Sequence, residues 1–141
     1  IKGVFEGVLM DLIKISPDKE RAKSILKIVS LVEQRIKLQD KNSMASLIVV
    51  DYYEIIKELI TALLFLDGYK TLSHKDLFEY LSKNYSEFDL NELSILDALR
   101  ILRNRVSYEG FSCDPSYLNR NEVLFISIIT KLKEIISKNF K

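Results

Sequence analysis

The segment over residues 44–66 constrains the fold more than any other part of the chain. Apolar side chains occur on nearly every side of it, among them Leu47, Ile48, Val49, Val50, Ile55, Ile56, Leu59, Ile60, Ala62, Leu63, Leu64, Phe65 and Leu66. A helix that is apolar all round lies at the centre of a bundle, or between a core and a subunit interface. We therefore predict a central helix over residues 44–66. Gly68 is expected to end it, because glycine suits the left-handed position that follows a helix.

Helical spacing of apolar residues predicts five further helices around this one. We expect them over residues 3–14, from Ser16-Pro17-Asp18 to about residue 39, and over residues 73–84, 89–108 and 122–138. Ser16, Ser73 and Asp89 are the predicted N-caps. Glycine and proline are scarce, with 4 and 2 copies, and no alternating strand pattern occurs. The predicted fold class is all-α, an antiparallel up-and-down helical bundle of five to six helices, in a single domain over residues 1–141.

Charge, cysteine and histidine content limit the classes of function. Net charge is +1, so any nucleic-acid role must rest on a local patch and not on bulk positive charge. Cys113, predicted to lie in a loop over residues 109–118, is the sole cysteine, which fits a reducing, cytoplasmic compartment. His74 is the sole histidine and starts a predicted helix. Without a Cys/His cluster we expect neither a metal nor a cofactor. The longest apolar run, residues 63–66, is far short of the ~18 residues that span a bilayer.

Residues 103–110 hold the densest polar group in the chain, at the predicted end of a helix. Two arginines occur here, Arg100 precedes them by about one turn, and Arg120 follows nearby. Guanidinium groups bind phosphate bidentately, while asparagine and tyrosine position a phosphodiester or stack on a base. The candidate RNA- or nucleotide-binding residues are Arg100, Arg103, Asn104, Arg105 and Tyr108. A structural alternative stays open, in which the arginines bond the last helical carbonyls and pair with Asp97 and Glu109.

A second polar group lies on the central helix. Asp51, Glu54 and Glu58 are spaced so that pairs share one face, and paired carboxylates can bind a metal or divide acid and base roles. The Glu-x-x-His partner of a di-metal bundle is absent. Because Lys57 lies among these carboxylates, we favour a salt-bridge role for them.

Residues 103–108 read Arg-Asn-Arg-Val-Ser-Tyr, and this motif resembles the Arg-Asn-x-x-x-His motif on a late helix of HEPN domains. Residues 51–59 and 67–77 are also similar to the family's central helices, so the resemblance covers about residues 20–138. It implies a four- or five-helix bundle that forms a homodimer, with the two motif helices facing each other across a cleft. Active members of the family are metal-independent ribonucleases, many of them toxins, and we expect this chain to be a prokaryotic member. Others bind nucleotides, or accompany a minimal nucleotidyltransferase as its antitoxin partner.

Tyrosine at position 108, where the family has histidine, shapes the expected function. Tyrosine side chains titrate far above neutrality and are poor groups for proton transfer. The leading hypothesis is a homodimer of toxin–antitoxin type that binds RNA or a nucleotide, with weak or lost nuclease activity. One alternative is an active metal-independent ribonuclease with Arg103 and Tyr108 as catalytic residues. Another is a protein–protein interaction module, built on the apolar central helix and the polar cluster. Replacement of the missing imidazole by His74 is a weaker expectation.

Overall fold

The computed structural model describes residues 11–140, and helices dominate this part of the chain. The five α-helices are α1 (Lys19–Lys37), α2 (Ala45–Asp67), α3 (His74–Asn84), α4 (Leu90–Glu109) and α5 (Pro115–Ser137), with a 3₁₀ turn over Lys138–Phe140. A short strand β1 (Ile13–Lys14) pairs antiparallel with β2 (Tyr69–Lys70), placing Ile13 opposite Lys70. The predicted all-α class and the range of five to six helices are confirmed for the described residues.

Helix α2 is the centre of the bundle. It buries 15 of its 23 residues and packs against α1, α3, α4 and α5. Burying one Leu or Ile side chain contributes about 1.5–3 kcal/mol, so this helix supplies much of the driving force for folding. The predicted central helix over residues 44–66 is confirmed, with bounds displaced by one residue.

Contacts along the helices give their directions. Arg35, near the end of α1, bonds Asp51, near the start of α2, at 2.7 Å from Nη2 to Oδ1. At the opposite end of the pair, the Arg21 guanidinium lies 5.0 Å from the centre of the Phe65 ring, so α1 and α2 are antiparallel. Lys131, late in α5, donates to Glu92, early in α4, at 2.8 Å. This contact indicates antiparallel packing of α4 and α5.

Predicted helix ends are confirmed at four places. Gly68 and Gly110 follow α2 and α4 in the left-handed conformation, with φ of 90° and 68°. The Ser73 side chain caps α3 by accepting from the Asp76 backbone N–H. Asp89 and Glu92 form a reciprocal capping box at the start of α4. These four ends set the lengths of the helices that carry the polar residues discussed below.

The predicted helix over residues 3–14 is wrong for residues 11–14, and residues 3–10 lie outside the described part of the chain. Ile13 and Lys14 form β1, and the Ile15 N–H donates to the Gly68 carbonyl at 2.9 Å. The partner strand is more than fifty residues away in sequence. Local apolar spacing cannot reveal such a pairing, and here the pairing outweighs the helical pattern.

Two predicted helix starts are also wrong. Helix α1 is capped by Asp18 and not Ser16, because Asp18 Oδ1 accepts from the Arg21 N–H at 2.9 Å. Helix α5 begins at Pro115 and not near residue 122, with Asp114 as its N-cap and Pro115 in its first turn. Proline is favoured there because it has no N–H to leave unbonded. The loop before α5 is therefore short, and Cys113 within it is buried, with its N–H donating to Ser46 Oγ at 2.7 Å.

Candidate functional site

The motif residues lie on the last two turns of α4. Arg103 Nη1 donates to Tyr108 Oη at 3.0 Å and to Asn104 Oδ1 at 3.2 Å. Gly110 ends the helix immediately afterwards, so these side chains occur at a helix terminus. The structure thus brings together Arg103, Asn104 and Tyr108, as the sequence spacing predicts.

Arg103 is also held from the central helix. Its Nη2 donates to Glu54 Oε1 at 3.0 Å, and its guanidinium carbon lies 5.4 Å from the centre of the Tyr53 ring and 5.5 Å from that of Tyr108. A guanidinium near two aromatic rings gains cation–π stabilisation. The side chain is only 16% exposed, so its orientation is fixed before any ligand arrives.

Lys57 gives the site a second cation. Its Nζ lies 2.8 Å from Glu54 Oε2 and 3.3 Å from Glu58 Oε1, and its side chain is 16% exposed. The favoured salt-bridge role of these carboxylates agrees with this geometry. Burial alone would raise the pKa of Glu54, but its bonds and charge interactions with Lys57 and Arg103 outweigh burial and hold that pKa below its usual range. Glu54 therefore stays ionised between two cations.

His74, at the start of α3, reaches the same site through Tyr53. Its Nδ1 lies 3.0 Å from the Tyr53 hydroxyl, and the two rings are 6.0 Å apart. Burial, followed by the positive charges of Lys57 and Arg103, lowers the pKa of His74, so the imidazole is neutral near pH 7. The site thus contains an uncharged imidazole electrostatically coupled to both cations.

The tautomer of His74 follows from the needs of Tyr53. Tyr53 is fully buried, and burial raises its pKa to about 12, so its hydroxyl keeps its proton. A buried hydroxyl needs an acceptor, and among the described residues His74 Nδ1 is its bonding partner. Nδ1 must then accept, and the neutral ring carries its proton on Nε2. His74 therefore presents an N–H donor at Nε2, and that nitrogen is not free to act as a base.

These contacts define one group of side chains, drawn from three helices, which we call the Arg103 cluster. Its members are Tyr53, Glu54, Lys57, His74, Arg103, Asn104 and Tyr108. Tyr108 is its most exposed member at 75%, so this phenol forms the open edge of the cluster. The Arg103 Nε–H is buried without an acceptor among the described residues. The cluster therefore combines a fixed guanidinium, an ammonium and an imidazole N–H, which are groups that bind anions.

The other predicted arginines do not all join the cluster. Arg100 Nη2 bonds Asp97 Oδ1 at 3.0 Å, but Arg100 is near enough for its charge to act on Tyr53. Arg105 stacks on Phe111, with 3.9 Å from its guanidinium carbon to the ring centre, and it borders a cleft between α4 and α5. Arg120 donates to Ser116 Oγ on its own helix. The four guanidiniums that are close in sequence are thus not one spatial group.

No sequence pattern predicts that this site includes Tyr53, Glu54 and Lys57. The sequence predicts only a salt-bridge role for the two charged residues. All three lie on the apolar central helix, where a polar group needs a partner. That position is the one sequence signal that could have pointed to them. Within residues 11–140, no group of three or more His, Cys, Asp or Glu side chains is arranged to hold a metal ion.

In comparisons with known proteins, no family model, no curated protein and no solved structure matches this chain. The HEPN resemblance therefore rests on the motif at residues 103–108, the helical order and the similarity of residues 51–59 and 67–77 alone. In the part of the chain that the structure describes, no helix has both the length and the apolar character to cross a membrane.

Proposed function

We propose that this chain is a HEPN-like domain that binds RNA or a nucleotide through a phosphate group at the Arg103 cluster. The observation that carries the proposal is the fixed guanidinium of Arg103, which Glu54 holds from one side and the exposed Tyr108 hydroxyl covers from the other. A phosphate oxygen that replaces the Tyr108 hydroxyl would gain a charge-assisted bond. Little side-chain entropy is lost on binding, because Arg103 is already ordered.

The positions of the protons in the Arg103 cluster favour binding of RNA or a nucleotide over its cleavage. His74 has its proton on Nε2 and its Nδ1 occupied by Tyr53, so the imidazole does not offer a base. Loss of general acid or base catalysis typically costs 10²–10⁴-fold in rate. The cluster therefore retains donors for a phosphate but lacks an evident group to activate a ribose hydroxyl.

The proposed assembly is a homodimer in which two α4 helices face each other, and the proposed role is a toxin–antitoxin-type component. The exposure of α4 supports a subunit contact, since only three of its 20 residues are buried: Glu92, Leu96 and Leu99. Ile101 on this helix is 49% exposed and Phe111 beside it 37%. Both side chains border the cleft that Arg105 lines, and exposed apolar side chains of this kind are typical of an interaction surface.

Fluorescence anisotropy with a labelled single-stranded RNA and competition by AMP tests the proposed function. Arg103→Ala should weaken binding of both ligands at least about tenfold, the typical effect of losing a hydrogen bond to a charged group. Arg105→Ala is the matched control, since Arg105 lies on the same helix but stacks on Phe111. Equal affinities of the two variants for both ligands would remove Arg103 from the site.

The ribonuclease alternative rests on Tyr108, whose exposed hydroxyl lies 3.0 Å from Arg103 Nη1. It is tested by single-turnover cleavage of the same RNA with excess protein and EDTA. Cleavage that is present in the natural protein and absent in Tyr108→Phe and Arg103→Ala would favour the ribonuclease. We expect no cleavage above that of the Arg103→Ala variant. Failure to bind either RNA or AMP would favour the interaction-module alternative.

A further inference from the structure

The Arg103 cluster holds one donor that the proposed site does not yet use, the Nε2–H of His74. Nδ1 is fixed by the Tyr53 hydroxyl, so the ring orientation is set and Nε2 faces away from that bond. Lys57 and Arg103 act electrostatically on the same ring. His74 is partly exposed, so a ligand can reach it.

The charges around His74 balance before a ligand binds. Lys57 and Glu58 face it from α2 together with Glu54, and Arg103 faces it from α4. Two cations and two carboxylates sum to zero, and the neutral imidazole adds nothing. A phosphate monoester brings close to two negative charges near neutrality, whereas an internal phosphodiester brings one. The monoester therefore creates the larger drive for the imidazole to gain a proton.

The burial of the two cations also favours a phosphate at the end of an RNA chain over an internal phosphodiester. Arg103 and Lys57 are each only 16% exposed, so little of either side chain is open to a ligand. A terminal phosphate has three free oxygens and one substituent, and it can approach such partly buried donors end-on. An internal phosphodiester carries a nucleoside on both sides and has two free oxygens, which limits both its approach and its number of bonds.

We propose that His74 is a phosphate-contacting residue of this site and donates from Nε2 to a terminal phosphate monoester. When that phosphate binds, Nδ1 takes up a proton from solvent and donates to the Tyr53 hydroxyl oxygen, which changes from donor to acceptor in the same bond. The charge of the phosphate compensates for the acceptor that the Tyr53 O–H gives up. The ligand is then an RNA end or a nucleoside monophosphate. This inference rests on the proposed function, since it needs a phosphate at Arg103. It makes His74 a specificity-determining residue for terminal over internal phosphate.

The test uses the fact that His74 is the only histidine in the chain, so its imidazole proton NMR signals need no assignment by mutation. The signals are titrated with pH in the free protein, with saturating AMP and with adenosine. AMP should move the midpoint of the titration to higher pH, and adenosine should leave it unchanged. A midpoint that AMP does not move, although AMP binds and Arg103→Ala abolishes that binding, overturns the inference and leaves the proposed function intact.

A second arm measures anisotropy with one RNA oligonucleotide, with and without a 5′ phosphate. Removal of that phosphate should weaken binding about tenfold or more, as expected for lost charge-assisted bonds. Equal binding of both oligonucleotides, sensitive to Arg103→Ala, would contradict the terminal specificity but not the phosphate site. Failure of AMP and of both RNAs to bind overturns the inference and the proposed function together.

The His74→Gln variant separates the role of His74 as a hydrogen-bond donor from its uptake of a proton. Its amide oxygen can accept from Tyr53 and its amide nitrogen can donate to the ligand, but glutamine gains no proton. We expect AMP binding to lose the His74-dependent part of its pH profile in this variant. The phosphate of AMP itself titrates near pH 6, and this variant reports that contribution. A pH profile unchanged by His74→Gln would contradict proton uptake at His74.

Discussion

At the scale of the residue, the shape of the Arg103 side chain matters as much as its charge. The guanidinium donates in one direction to Glu54 and in another to Asn104 and Tyr108. A planar group with fixed donors can hold these partners and still present an edge to a phosphate, whereas an ammonium acts as a point charge. The cluster is thus built on a property that only arginine supplies.

Arg103→Lys should therefore weaken AMP binding about tenfold despite keeping the charge, because the forked donors are lost. Isothermal titration calorimetry at constant salt measures the affinity. Arg105→Lys is the matched control and should leave it nearly unchanged, since Arg105 contacts Phe111 and not the cluster. An affinity retained in Arg103→Lys would mean that charge alone suffices at this position.

The stability of the protein should depend on pH through His74. Burial, Lys57 and Arg103 lower the pKa of His74 in the folded state, so the unfolded chain binds more protons between the folded and unfolded pKa values. The free energy of unfolding should fall as pH decreases from about 7 to 5, and be unaffected by this group above that window. Urea unfolding at several pH values measures it. In His74→Gln the decrease over this window should shrink, and an unchanged slope would contradict the assignment.

At the scale of the element, local chemistry made most helix ends predictable. Ser73, Gly68, Gly110 and the Asp89–Glu92 capping box act within a few residues of the ends that they set, so their signals are readable from sequence. The start of α5 was readable in the same way, from Asp114 before Pro115, but the polar residues after it resembled a loop. The strand at Ile13–Lys14 was not readable, because it exists only through pairing with β2.

The two glycines that end α2 and α4 provide a matched pair of substitutions. Both have positive φ, so alanine at either should cost about 1 kcal/mol of stability. A Cβ at Gly68 would also lie 3.1 Å from the Ile15 carbonyl oxygen, whereas one at Gly110 would meet nothing within 4 Å. Gly68→Ala should therefore destabilise more than Gly110→Ala in thermal and urea unfolding. Equal losses would mean that the Ile15 segment yields without cost.

At the scale of the whole molecule, packing decides which motif residues meet. Arg103, Asn104 and Tyr108 share a helix end, and their proximity follows from spacing. Arg105 is two residues from Arg103, or about 200° around the helix, which turns it toward the cleft between α4 and α5. His74 and Tyr53 come together only because α3 folds back onto α2, and no local pattern encodes that contact.

The proposed homodimer is tested by light scattering of the eluted protein across a wide concentration range. We expect a dimer in the natural protein and dissociation in Ile101→Asp, because a charge on the exposed face of α4 opposes burial there. Ile28→Asp is a control on α1, where Ile28 is 54% exposed and far from the motif in sequence. It should leave the dimer intact. A natural protein that is monomeric throughout the range would contradict the dimer but not the phosphate site.

The central claim, that a phosphate group binds at the Arg103 cluster, is tested most directly by mapping where AMP binds. A titration of the ¹⁵N-labelled protein with AMP follows the backbone amides and the Arg103 Nε–H, which is buried without an acceptor among the described residues. We expect the largest chemical-shift changes at Arg103, Asn104 and Tyr108, with a coupled change at His74. Changes confined to the cleft near Phe111 and Tyr117, with the Arg103 signals unmoved, would contradict it.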